Sequence, residues 1–238
     1  MKIRILYAVL FLVTIPLFAQ NIFVGQWKLN TGTYYRFNAN GTGGIFESPE
    51  GNFHEGSFIE DFSFLSWEGT GITPDYPKSN TLLLASGPGN SPQDVTVKLY
   101  SYTANGDTIK LQDGDGNQLV FARVSGTPAA LNIPPHPLLG QWEAKWNGSN
   151  HDGALGTWSF LYRPDGTVKT YHHRLHQFDN AYLVRGNVLV ILGEWRFHPA
   201  FPVVIGGITV KGKNSVFVQE TGGTTWDYKK KDKAVWRK

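Results

Sequence analysis

One short word is written twice in this chain. Val24-Gly25-Gln26-Trp27-Lys28-Leu29 returns as Leu139-Gly140-Gln141-Trp142-Glu143-Ala144, and each copy opens about a hundred residues of short alternating runs and Gly/Asn/Asp turns. Such a segment can bury a thin core of its own. The repeat therefore divides the chain into two related domains before any other signal is consulted.

Strand period and turn chemistry say what each copy is. Trp27 and Leu29 fall on one face of a first strand with Lys28 on the other, and Tyr35 and Phe37 oppose Tyr34 and Arg36 on the next. Ala39-Asn40-Gly41-Thr42 is a hairpin turn, because both central positions of such a turn need positive φ. Strands are expected at 62–67, 80–85, 95–102, 108–111 and 119–124. The second copy aligns Trp158, Phe160 and Tyr162 on one face and turns at Arg163-Pro164-Asp165-Gly166-Thr167. It continues through 182–191 (two strands about an Arg-Gly-Asn turn), 208–210, 215–220 and 224–228, with Ala234-Val235-Trp236-Arg237 as the expected closing strand. A short helix around His172 to Asn180 is the one helical expectation. Between the copies, residues 126–137 carry Pro128, Pro134, Pro135 and Pro137 without periodicity, and read as a stiff linker.

The expected organisation is a signal peptide at 1–19, one domain at 20–125, the linker at 126–137, and a second domain at 138–238. Lys2 and Arg4 precede a mostly apolar run, Ile5 to Ile15, and Ala19 offers a small residue for cleavage. That run is short for a membrane span, so the mature protein is expected to be exported, periplasmic or secreted, with no transmembrane segment. Cysteine is absent, which removes disulfides, thiol nucleophiles and Cys-ligated zinc.

Charge divides by half. Residues 20–125 hold six Lys+Arg against eleven Asp+Glu, whereas 138–238 hold fourteen against eight, six of the fourteen lying in 229–238. The basic pI thus describes the closing segment rather than a broad nucleic-acid-binding face. Opposite signs suggest that the two domains dock electrostatically.

A Gly-x-Trp on the first strand, then an aromatic strand and an Asn/Asp-Gly-Thr turn, resembles the lipocalin-like domains of the calycin superfamily, in particular small exported bacterial versions. The resemblance runs once per repeat and implies an all-β fold: two tandem antiparallel eight-stranded barrels. It further implies that Gly25 with Trp27, and Gly140 with Trp142, plug one barrel end each, with Arg123 over Trp27 and Arg237 over Trp142. The Trp-to-Arg separations, 96 and 95 residues, nearly agree. The Thr-Asp-Tyr element of full-length lipocalins is missing.

An eight-stranded barrel is either filled by its own side chains or holds one small ligand. The candidate ligand contacts are Tyr35, Phe37, Phe64 and Trp67 in the first barrel and Trp158, Phe160 and Tyr162 in the second. The leading expectation is a non-enzymatic binding protein with a small hydrophobic ligand in one barrel; the alternative is a structural or adaptor protein with packed barrels and an envelope-protein partner. An enzyme is the third reading. His172-His173-x-x-His176 lacks the glutamate of a zinc-protease motif and carries Arg174, so it reads as a histidine-rich surface segment rather than a metal centre. Glu60-Asp61 reads as solvated loop carboxylates. No catalytic residue, metal site or cofactor is assigned.

Overall fold

The computed structural model describes residues 21–50, 58–67, 80–146, 157–172, 175–192 and 203–231. They form two closed antiparallel barrels of eight strands each. The first contains β1 Gly25–Leu29, β2 Tyr34–Phe37, β3 Thr42–Phe46, β4 Phe58–Trp67, β5 Asn80–Ser86, β6 Thr96–Asn105, β7 Thr108–Gln112 and β8 Gln118–Ser125. The second contains β9 Gly140–Trp146, β10 Thr157–Tyr162, β11 Thr167–His172, β12 Leu175–Arg185, β13 Val188–Leu192, β14 Val203–Gly212, β15 Ser215–Glu220 and β16 Thr225–Lys230. Neighbouring strands pair in chain order, with β8 closing on β1 and β16 on β9. Closure leaves neither sheet an unpaired edge, which a two-faced β-domain must otherwise protect.

The expected fold and the repeat hold, and four local expectations are revised. Residues 175–180 form strand, not helix: Thr170 faces Phe178 and His172 faces Leu175 across the β11–β12 pair. Glu60 and Asp61 lie within β4 rather than in a loop. Strand β3, Thr-Gly-Gly-Ile-Phe, carries two glycines that disguise it. A Cβ on Gly43 would meet the Phe62 ring at 2.3 Å and the Arg36 carbonyl at 2.5 Å, so this glycine makes room for an aromatic ring to cross the barrel. Finally, the second barrel is already closed by Thr225–Lys230, so it needs no strand at 234–237; those residues, Arg237 included, lie outside the described ones.

Each barrel is built around its repeated tryptophan. Trp27 is 0% and Trp142 1% exposed, and their indole N–H groups donate to the carbonyls of Phe23 and Leu138, both at 2.6 Å. In each case the acceptor lies four residues upstream, so the segment entering the barrel satisfies the buried donor. Gly25 adopts φ 131°, and a Cβ there would lie 2.6 Å from the Ser125 carbonyl. The motif glycine therefore lets the first strand leave the barrel end beside the last. An indole of this kind removes about 150–250 Å² from water, a gross gain of about 4–6 kcal/mol by area.

The two barrels dock through one apolar seam. Leu65, Leu83, Ala85 and Val95 of the first meet Ala181, Leu183, Val188, Val190 and Leu192 of the second. The registers expose its logic. Leu65 faces Leu83 across β4–β5 as Leu183 faces Val190 across β12–β13, and Ser63 faces Ala85 as Ala181 faces Leu192. The same patch of each barrel is thus presented to its twin, the self-complementary arrangement of a two-fold pair. The expectation of electrostatic docking gives way to apolar burial. The ion pair across the junction, Arg185 to Asp61 at 2.7 Å, sits at the seam's margin.

The linker is fastened down instead of spacing the domains apart. Asn132 N–H donates to the Ala39 carbonyl, and Ile133 N–H donates to the Pro164 carbonyl. These acceptors occupy matching places in the two Gly-Thr turns, so adjacent linker residues clasp one barrel each. Further along, Leu138 N–H donates to His136 Nδ1 at 3.2 Å, which leaves the proton on Nε2 to reach the Tyr182 hydroxyl at 2.9 Å. Tyr182 in turn donates to the Arg163 carbonyl at 2.7 Å.

Burial holds the His136 imidazole neutral, with its pKa pushed down from 6.5 to about 4. The unfolded chain binds this proton at higher pH than the folded one. The histidine's contribution is therefore complete above pH 6.5 and is lost as pH falls toward 4. Melting temperatures measured across that interval are expected to fall more steeply for the native chain than for His136→Gln. Parallel curves would show that protonation of this ring does not loosen the linker.

Candidate functional site

Both barrel interiors are occupied by rings in mutual contact. In the first, Phe37 meets Phe64 edge-on at 4.9 Å, Tyr35 meets Phe121 at 4.9 Å, and Phe23 meets Tyr102 at 5.0 Å. In the second, Tyr162 meets Tyr182 at 4.9 Å and Phe160 meets Tyr228 at 5.3 Å. Of the expected ligand contacts, Phe37, Phe64, Trp158, Phe160 and Tyr162 are at most 3% exposed, and Tyr35 is half-buried against the same cluster. Trp67 ends β4, and its side chain lies outside the described ones. The expected contacts are therefore brought together in two groups, one per barrel, where their rings pack on each other.

Burial shifts the titration of the polar groups among these rings upward. Burial pushes the Tyr35 phenol up to about 12, with Tyr100 and Glu60 adding to the effect. Burial likewise raises Tyr162 and Tyr228, whose hydroxyls lie 3.2 Å apart. Burial also raises the Glu220 carboxyl, which accepts a bond from the Trp226 indole at 2.7 Å. These phenol shifts run away from neutral pH and give no poised acid–base pair.

The cation expected above the first plug is present. The Arg123 guanidinium lies 4.1 Å from the Trp27 ring centre, donates to the carbonyls of Ile22 and Val24, and pairs with Asp107 at 3.1 Å. Over Trp142 stands Lys230, its ammonium 5.5 Å from the ring. The sequence-based assignment passed over this lysine because it sought an arginine at equal separation. Arg237 is outside the described residues.

His172 stacks on Trp158 with ring centres 4.4 Å apart, while His173 and the His176 side chain lie outside the described residues. Among the described residues, no group of three His, Cys, Asp or Glu is arranged to hold a metal ion.

A concave site lies between the barrels. A cleft of about 670 Å³ is lined by Phe58, Ile59, Glu60 and Asp61 of β4, by Gly87 and Pro88 beyond β5, and by Val184, Arg185 and Gly186 of the second barrel. That volume lies within the range of ordinary ligand sites. Arg185 anchors one wall. Its side chain is 11% exposed, its Nε donates to the Gly87 carbonyl, and its Nη2 pairs with Asp61. Ile59, by contrast, is 52% exposed and presents an apolar side chain to solvent. With Arg185 engaged by Asp61, the remaining cleft lining combines apolar residues with Glu60, Thr42 and Ser63.

Sequence reasoning missed this site. Its residues come from both barrels, with Gly87 and Arg185 98 positions apart, and each segment alone reads as ordinary strand or turn. The adjacency of Phe58-Ile59 to Glu60-Asp61 was the one available signal.

No family profile and no curated protein matches the chain. Among solved structures it is similar to an endo-1,5-alpha-L-arabinanase from Thermotoga petrophila, at 11% identity and TM-score 0.29, over 84% of this chain and 53% of that one. It is also similar to BBS1N in complex with ARL6DN, at 9% identity and TM-score 0.17, over 85% of this chain and 62% of that one. The chain thus spans roughly half to three-fifths of the lengths of these structures, and likeness at this level carries no argument about function.

Proposed function

We propose that the protein is an exported, non-enzymatic binding protein of calycin ancestry. Its barrels serve as rigid bodies, and its ligand lies in the cleft between them. The observation carrying this reading is the contrast between interiors crowded with touching rings and a 670 Å³ cleft that both barrels build. Calycin ancestry is supported by the Gly-x-Trp strand, the indole sealed at each barrel end, and a cation above each. Export rests on the basic and apolar character of residues 2–19.

The wall chemistry narrows the ligand to a small amphipathic molecule with a cationic or donor-rich end. Phe58, Ile59, Pro88 and Val184 supply apolar contact, and Glu60 supplies the opposing charge.

Titrating the protein with apolar amines and their matched carboxylic acids, followed by thermal shift and NMR, tests the reading. Amines are expected to bind better than acids. Phe58→Ala and Glu60→Gln should each weaken binding about tenfold, the effect of losing roughly 1.4 kcal/mol of contact. Absence of any binder in the panel would overturn the proposal. Binding that survives both substitutions unchanged would return the ligand to a barrel interior.

A further inference from the structure

The closed end of the second barrel carries a cationic face that the fold does not require. The β14–β15 hairpin is exposed from Thr209 to Asn214, bearing Lys211 and Lys213, and the neighbouring end of β16 bears Lys229 and Lys230. Backbone pairing holds these segments together: Ser215 faces Lys229, and Lys230 N–H donates to the Asn214 carbonyl at 3.0 Å. Lys231 follows, its N–H donating to the Gln141 carbonyl. Among the described residues, two carboxylates face this group, and both are engaged: Asp227 with Lys211 at 3.4 Å and Glu143 with Lys231 at 3.1 Å. Among the described residues, five lysines against two acids leave a surplus of three positive charges on one rim.

The first barrel is the internal control. There Arg123 N–H donates to the Asp107 carbonyl as Lys230 donates to that of Asn214, so Asp107 and Asn214 hold the same corner. Asp107 also neutralises Arg123 across that corner, at 3.1 Å. The first hairpin, Asn105-Gly106-Asp107, thus builds the same end of a barrel with an acid, where the second uses Lys211-Gly212-Lys213-Asn214. Folding alone is satisfied by either set.

One more feature distinguishes the second rim. Val210 is 55% exposed there, the most exposed of the large apolar side chains among the described residues. Lys211 meanwhile lies over the Phe217 ring at 4.3 Å.

We infer that this rim docks the protein on an anionic phospholipid surface, with Lys211, Lys213 and Lys229 over the headgroups and Val210 at the acyl boundary. Lysines suit this partner because an ammonium acts as a mobile point charge toward phosphate. An apolar residue among them gives a bilayer something that a soluble polyanion lacks. The inference is independent of the cleft, which involves none of these residues.

The test is co-sedimentation of the full chain with vesicles of phosphatidylglycerol in phosphatidylcholine, against phosphatidylcholine alone. The neutral vesicles set the background due to the apolar N-terminal run. Stronger binding to the anionic vesicles is expected, disappearing at about 0.5 M salt, where exposed charges are screened.

A lysine at an anionic surface is worth about fivefold in partitioning. The triple variant Lys211→Gln/Lys213→Gln/Lys229→Gln should therefore bind about a hundredfold less. All three are exposed, and an unchanged circular dichroism melt confirms the fold. Val210→Ser, which changes no charge, should weaken vesicle binding while leaving retention on soluble polyphosphate almost unchanged. Equal partitioning of native and triple-variant chains would overturn the inference. Indifference to Val210→Ser, with equally tight polyphosphate binding, would overturn the lipid assignment in favour of a soluble polyanion.

Discussion

Truncating either plug, Trp27→Ala or Trp142→Ala, is expected to destabilise the protein by about 3–5 kcal/mol, the range for removing a buried aromatic side chain. Three losses coincide at each site. The indole is all but inaccessible, its N–H satisfies a backbone carbonyl at 2.6 Å, and its face receives a cation. Against a typical total of about 5–15 kcal/mol, such a loss leaves a marginal barrel.

The two sites are also expected to differ. Arg123 stands 4.1 Å from its indole and ties down two carbonyls, whereas Lys230 stands 5.5 Å from its own. Arg123→Met should therefore cost more than Lys230→Met. Urea denaturation followed by circular dichroism measures all four variants. A cost below about 1 kcal/mol for either tryptophan would place it outside the set of core residues that sustain a fold.

Placing a carboxylate in the seam, by Leu183→Asp, is expected to uncouple the barrels. Leu183 is 2% exposed and surrounded by apolar side chains of both domains, so a charge there has no partner. Leu183→Ala should cost about 2–4 kcal/mol through the cavity it leaves. Leu183→Asp should cost more and split one unfolding transition into two, because each barrel keeps its own inner cluster. Calorimetry distinguishes the outcomes. A single transition with an unshifted midpoint would mean that the seam contributes nothing to cooperativity. Since the seam is apolar, salt is expected to have little effect on the native chain's compactness in solution scattering, the opposite of what charge-driven docking would give.

The sequence reading succeeded where one residue type has one physical use. A Gly-Gln-Trp word repeated at domain spacing, with Asn-Gly and Asp-Gly turns at matching places, indicated duplicated barrels, and both indoles are buried. It failed where neighbours decide. Strand β3 was hidden because Gly43 is selected by a Phe62 ring that crosses it, a contact absent from local sequence. Residues 175–180 invited a helix only until pairing with β11 supplied their partners.

The sequence alone determined the all-β class and the two tandem barrels, because strand period, turn stereochemistry and aromatic burial act over a few residues. Only the tertiary structure decided that outward-facing Leu65, Leu83, Leu183 and Val190 are covered by one another, that the linker is a clasp, and that a cleft lies beside Arg185. A strand's outer face reads the same whether water or a second barrel lies against it. That choice is made by surfaces more than a hundred residues apart, through a burial energy that belongs to the pair and to neither strand.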